Sequence, residues 1–122
     1  MSSKVEEDPS GMDQHLPGAK LDKNKPRVDL MLCGFNRALL AVAEVTTYGA
    51  NKYSPHGWMD VSDPVNRYAD AKARHMLQGY SERYDQESGL SHAAHEAWNA
   101  LAVLESLIKG EEDEEKYLTK EA

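Results

Sequence analysis

His92, His95, Glu96 and Asn99 follow one another at i, i+3, i+4 and i+7, so a helix would carry all four on one face. Upstream, Arg67, Asp70, Arg74, His75, Gln78 and Glu82 make a similar polar stripe. Helical bundles build metal sites from Glu, His and Asn side chains on facing helices. Asp85 and Glu87 add two acids just before the His92 stripe. Acids this close repel one another unless a cation holds them, and their oxygens suit Mg²⁺ or Mn²⁺. Plainer explanations stand beside this one. A polar helix face is ordinarily solvated, and acids near a helix start are favoured by the helix dipole whatever the function.

A second set of groups could hold phosphate. Lys20, Lys23, Lys25 and Arg27 lie in PGAKLDKNKPR, and Lys52 ends a later segment. Lys and Arg suit triphosphate oxygens, Arg through bidentate geometry. The same residues also read as a solvated basic loop balanced by Asp22 and Asp29. Trp58 and Tyr53 flank SPHG, where they could stack on a base or cap a core. Glu44 is flanked by Val42, Ala43 and Val45 and is expected to point inward, where a carboxylate needs a cation. Gly-rich phosphate loops, Cys-based zinc patterns and nucleophile elbows are absent from the sequence.

The elements that position these residues read as helices. FNRALLAVAEVTTYGANKY places Leu39, Val42, Ala43 and Tyr48 near a 3.6 period, predicting helix A over about 36–52 with Asn36 as N-cap. Asp63-Pro64 opens helix B, which should run to Glu82 with Val65, Tyr68, Ala69, Ala73, Met76 and Leu77 as its buried stripe. After the turn RYDQESG, Ser88 or Ser91 caps helix C over roughly 90–109. Its apolar face is Leu90, Ala94, Ala97, Trp98, Leu101, Leu104 and Ile108, and Gly110 stops it. So short a turn makes B and C antiparallel neighbours, placing Glu82 near His92 and His75 near Asn99. Leu30–Leu32 reads equally as a short strand or a turn of helix. The expected fold is all-α, a small bundle of three main helices with B and C as an antiparallel hairpin.

A chain of 122 residues makes one domain. Its low mean hydropathy comes from the two ends, so the expected layout is a flexible arm at 1–16, a helical domain at 17–109 and an acidic flexible tail at 110–122. The net charge of −7 argues against general nucleic-acid binding, which demands basic surface. Cys33 is the only cysteine, which excludes an internal disulfide and favours a reducing cytoplasm. No apolar stretch reads as a leader or reaches membrane-spanning length, so a cytoplasmic protein is expected.

Four stretches in order, GAKLDKNKPRVDL, VTTYGANKY with Trp58 shortly after, RYADAKARH, and DQESGLSHAAHEAWNAL, resemble the dATP/dGTP diphosphohydrolase family of bacteriophages. This is the MazZ type, related to the MazG-like all-α nucleotide pyrophosphohydrolases, and the resemblance covers about residues 18–105. It implies hydrolysis of a purine deoxynucleoside triphosphate to the monophosphate and pyrophosphate with Mg²⁺ or Mn²⁺. In phages that replace adenine with diaminopurine, the dGMP produced would feed synthesis of the modified nucleotide. The superfamily holds its metals with E-x-x-E on one helix and E-x-x-D on the next. Here Glu96-Ala97-Trp98-Asn99 resembles the second motif, with Asn for Asp, and Glu82-Arg83-Tyr84-Asp85 the first, with Asp for Glu.

The resemblance implies Glu82, Asp85 and Glu96 as metal ligands with His92 sharing the work, the inward reading of Glu44 adds it to them, and Glu82, Glu96 and His95 are the groups from which the general base is drawn. Lys20, Lys25, Arg27 and Lys52 would neutralise the β- and γ-phosphates, with Trp58, Arg74, His75 and Asn99 as further substrate contacts. Three helices make a thin core, so a homodimer or homotetramer is expected. The rival readings are a non-catalytic helical accessory module, binding another protein through helix A, and a nucleotide-binding sensor without turnover.

Overall fold

A computed structural model describes residues 5–121, and every regular element among them is helical. Residues 1–4 of the expected arm and Ala122 of the expected tail lie outside the described residues. The chain divides after Gly34 into two compact units.

The first unit is built around Asp8. Its buried carboxylate accepts the backbone N–H groups of Ser10 and Lys20, each at 2.8 Å, and the Ser10 hydroxyl. Those donors, the Ser10 hydroxyl foremost, hold the Asp8 carboxyl down at about 2. Lys23 and Lys25 pair with Glu7 and Glu6 at 3.3 and 2.9 Å. The unit ends in helix α1 (Val28–Gly34), which decides Leu30–Leu32 in favour of helix. Leu and Met propagate a helix well, and Asp29 in the first turn complements its dipole.

The second unit holds α2 (Asn36–Lys52), a 3₁₀ turn at Gly57–Asp60, α3 (Pro64–Gly79) and α4 (His92–Glu121). Helix α2 has the expected bounds, but Phe35 takes the cap position, so Asn36 is its first helical residue rather than its cap. Pro64 opens α3 with its φ already fixed for a helix. The preceding Asp63 accepts Asn66 Nδ2 at 3.1 Å instead of a backbone N–H. Helix α3 closes at Gly79, short of Glu82, because the Tyr80 and Glu82 amides bond back to Leu77 and Gln78 in a terminal turn. Ser91 caps α4, its hydroxyl accepting the Ala94 N–H at 3.0 Å. The expected stop at Gly110 is not used, and α4 continues to Glu121. A mid-helix glycine costs only about 1 kcal/mol, and Glu112 with Lys116 at i,i+4 returns part of it.

Helices α3 and α4 pack along each other, and α2 lies against α4. The apolar core is small: Val42 and Val45 from α2, Ala94 and Ala102 from α4. Three buried residues beside it are polar, His92, His95 and Asn99, so imidazoles fill much of the interior. Several residues expected inside are exposed, including Met76, Leu77, Leu101, Leu104 and Ile108. The helical period was right, but the unit supplies nothing opposite the far half of that stripe. No helix of the described residues is long and apolar enough to cross a membrane.

Candidate functional site

The loop from Tyr80 to Ser91 is a folded device. The Asp85 N–H donates to Leu90 O and the Gly89 N–H to Asp85 O, both at 2.8 Å, while the His92 N–H reaches Arg83 O at 3.0 Å. Tyr84 and Ser91 pair in one isolated antiparallel bridge. Gly89 sits at φ +75°, in the left-handed region where a side chain is strained. The folded turn brings Asp85 to the start of α4, beside two histidines.

Donor atoms of His75 on α3, Asp85 in the loop and His92 on α4 all lie within 4.8 Å of one another. The Nδ1 atoms of His75 and His92 are 2.9 Å apart. His75 also stacks on His95, with centroids 4.4 Å apart and planes at 9°. His95 Nε2 meets the Ser88 hydroxyl at 2.7 Å, and its ring stands edge-on to Tyr48. The Ser88 amide donates to the Asp85 carboxylate at 2.8 Å, so Ser88 serves both the acid and an imidazole. His92 is only 2% exposed, and its Nε2 has no hydrogen-bond partner. The nearest carboxylate to that nitrogen is Glu82, at 3.8 Å.

Burial is the main cause lowering the His75 pKa, with the neighbouring imidazoles of His95 and His92 adding to it; burial likewise lowers His95. Burial alone would raise the Asp85 carboxyl, but the Ser88 amide and hydroxyl and the nearby histidines outweigh it and leave it below the usual range. Imidazoles beside a carboxylate are a donor set that a divalent cation can use. The residues present fit a metal ion.

Around this centre the expected residues are dispersed. Glu82 and Glu96 line an open groove of about 650 Å³ together with His75, Tyr80 and Arg83. Lys52 is in an ion pair with Glu87 at 2.6 Å, which draws its pKa well above the usual lysine range. Burial first, then the Glu87 carboxylate, raises the Tyr48 hydroxyl. Trp58 stands edge-on to Tyr68 and Trp98 at 6.1 and 5.5 Å, its carbonyl accepting the Tyr68 hydroxyl. Asn99 is buried and donates to the His95 carbonyl at 2.8 Å. His75 meets His92 and His95.

Arg74 is exposed. Glu44 is exposed too, which corrects its expected inward placement: it shares α2 with Val42 and Val45 but not their face. Lys20, Lys25 and Arg27 belong to the first unit. The parts undervalued in the sequence are Ser88, read only as a cap, and Tyr48, read only as apolar stripe. The one local signal for Ser88 was the tight turn implied by glycine after DQES.

The family profile described as dATP/dGTP diphosphohydrolase, N-terminal, matches residues 15–116. A protein of Salmonella phage PMBT28 named dATP/dGTP diphosphohydrolase is 35% identical over 89 residues, covering 72% of this chain and 29% of that protein. The chain thus spans less than a third of the length of this relative. No solved structure matches it.

Proposed function

Because this chain belongs to the dATP/dGTP diphosphohydrolase family, we propose that it hydrolyses purine deoxynucleoside triphosphates, dGTP and also dATP, to the monophosphate and pyrophosphate. The observation that carries the reading is the approach of donor atoms of His75 on α3, Asp85 in the loop and His92 on α4 to within 4.8 Å of one another. A divalent cation held there, Mg²⁺ or Mn²⁺ on the family likeness, would supply Lewis acidity toward phosphate oxygens and acidify a bound water.

The chain's own residues do the rest. Asp85 and the two imidazoles offer the donors, and the groove lined by Glu82, Arg83 and Glu96 offers room for a phosphate chain. Water attacks the α-phosphorus, the bond to the α–β bridging oxygen breaks, and pyrophosphate leaves. Glu96, which lines the groove, would take the water's proton, and Arg83, which also lines it, would offset charge on the departing group. Lys52 of the second unit remains a proposed phosphate partner, and Lys20, Lys25 and Arg27 of the first unit remain proposed phosphate-binding residues. The dGMP formed would serve diaminopurine nucleotide synthesis in a phage with such DNA. The protein works as a homodimer or homotetramer, a reading supported by the exposed Leu101, Leu104 and Ile108 of α4.

Product analysis with the four deoxynucleoside triphosphates, Mg²⁺ and Mn²⁺ supplied separately, tests this. Pyrophosphate with dGMP or dAMP is expected. Release of inorganic triphosphate or orthophosphate, or no turnover with any pair, would overturn it.

A further inference from the structure

We propose that the Glu87 carboxylate is a place-holder: it occupies an oxyanion subsite formed by Lys52 Nζ and the Tyr48 hydroxyl, and the terminal phosphate of a nucleoside triphosphate displaces it. This rests on the triphosphate reading above and deepens it, naming a subsite and the internal group that competes for it.

The first ground is what the subsite is made of. Lys52 Nζ lies 2.6 Å from Glu87 Oε1, and the Tyr48 hydroxyl reaches the same carboxylate. An ammonium and a phenol O–H turned toward one carboxylate can donate equally to a phosphate oxygen, which has more charge behind it. The amine also stands 6.0 Å from the Tyr48 ring centre and 5.3 Å from that of Tyr53. Both rings attract the cation whichever anion it faces, so the subsite persists when its occupant changes.

The second ground is position. The Tyr48 ring stands edge-on to His95, with centroids 6.2 Å apart, and His95 stacks on His75. One half-buried tyrosine thus separates the subsite from the imidazole cluster, and an elongated polyanion lying along it can touch both. The third ground is how loosely the place-holder is held. The Glu87 side chain is 62% exposed, and it comes from the loop two residues after Asp85, whose negative charge opposes it. Exposed ion pairs of this kind shift an equilibrium by at most about fivefold, so Glu87 returns to water at little cost.

The test uses the whole chain with chelator present, so that nothing turns over, and inorganic tripolyphosphate as the probe. Glu87→Gln should bind the probe about two- to fivefold tighter than the unaltered chain, because the amine no longer has to be released. Loss of a negative charge would also tighten binding through space, and a double-mutant cycle separates the two effects. In a Lys52→Met background, most of the gain from Glu87→Gln should vanish. In the unaltered chain, nitrogen NMR should show the Lys52 ammonium resonance moving as the probe is added, which avoids any variant that fails to fold. Glu87→Gln binding no tighter, a gain that persists with Lys52→Met, or a Lys52 resonance unmoved at saturation would each overturn the inference. A chain in which the probe displaces Glu87 but no nucleotide is cleaved would sink the proposed function alone. One that cleaves dGTP while Lys52 stays with Glu87 would sink this inference alone.

Discussion

Burying imidazoles in so small a bundle costs free energy unless each ring nitrogen finds a partner. For His95 that partner is Ser88, whose hydroxyl lies 2.7 Å from Nε2 while its amide steadies Asp85. Ser88→Ala leaves the amide bond in place and strips the buried nitrogen of its contact. We expect about 1–3 kcal/mol lost, seen as a lower urea midpoint with unchanged slope, and largely restored by Ser88→Thr. The histidines themselves were legible, because i and i+3 on a helix must share a face. Ser88 was not, since a hydrogen bond across a turn to the following helix has no spacing rule. Glu44 is exposed for the opposite reason: residues adjacent in sequence on a helix are not neighbours in space, since i±1 and i±2 point to other faces.

Two glycines make opposite demands on their elements, and one substitution separates them. Gly89 stands at φ +75° in the turn that carries Asp85, while Gly110 lies within the continuous helix α4; a Cβ at either would meet nothing within 4 Å. Space therefore decides neither case, and backbone conformation decides both. Gly89→Ala should cost about 1–2 kcal/mol through left-handed strain, and should weaken metal binding because the turn relaxes around Asp85. Gly110→Ala should instead add about 1 kcal/mol of helix stability, raising ellipticity at the helical minimum and leaving metal affinity alone. Helix α2 and the α3–α4 hairpin could be read from period and punctuation. The end of α4 could not, because a glycine is a stop only where the chain also takes up the left-handed cap, and here it does not. The register that sets His75 against His92 was also hidden, since the α3 terminus came earlier than its polar stripe suggested.

At the scale of the molecule, the second unit buries few apolar side chains and leaves Leu101 and Leu104 about half exposed on α4. If a second copy covers that stripe, the native chain should sediment above monomer mass, and Leu101→Glu with Leu104→Glu should return it to monomer while retaining helical signal. A monomer at micromolar concentration would refute self-association outright. With so little apolar core, a divalent cation held by His75, His92 and Asp85 would add to the cohesion between α3 and α4. Binding that requires the folded arrangement stabilises it by mass action, about 2.7 kcal/mol at one hundred times Kd. Adding Mn²⁺ to chelator-stripped protein should accordingly raise the melting temperature by several degrees and continue to raise it with concentration. His75→Ala should lower the starting melting point, because it leaves the buried His92 Nδ1 without its partner, and should also abolish the Mn²⁺ shift. A shift that survives in His75→Ala would place the stabilising ion on other ligands and remove the metal link between the two helices.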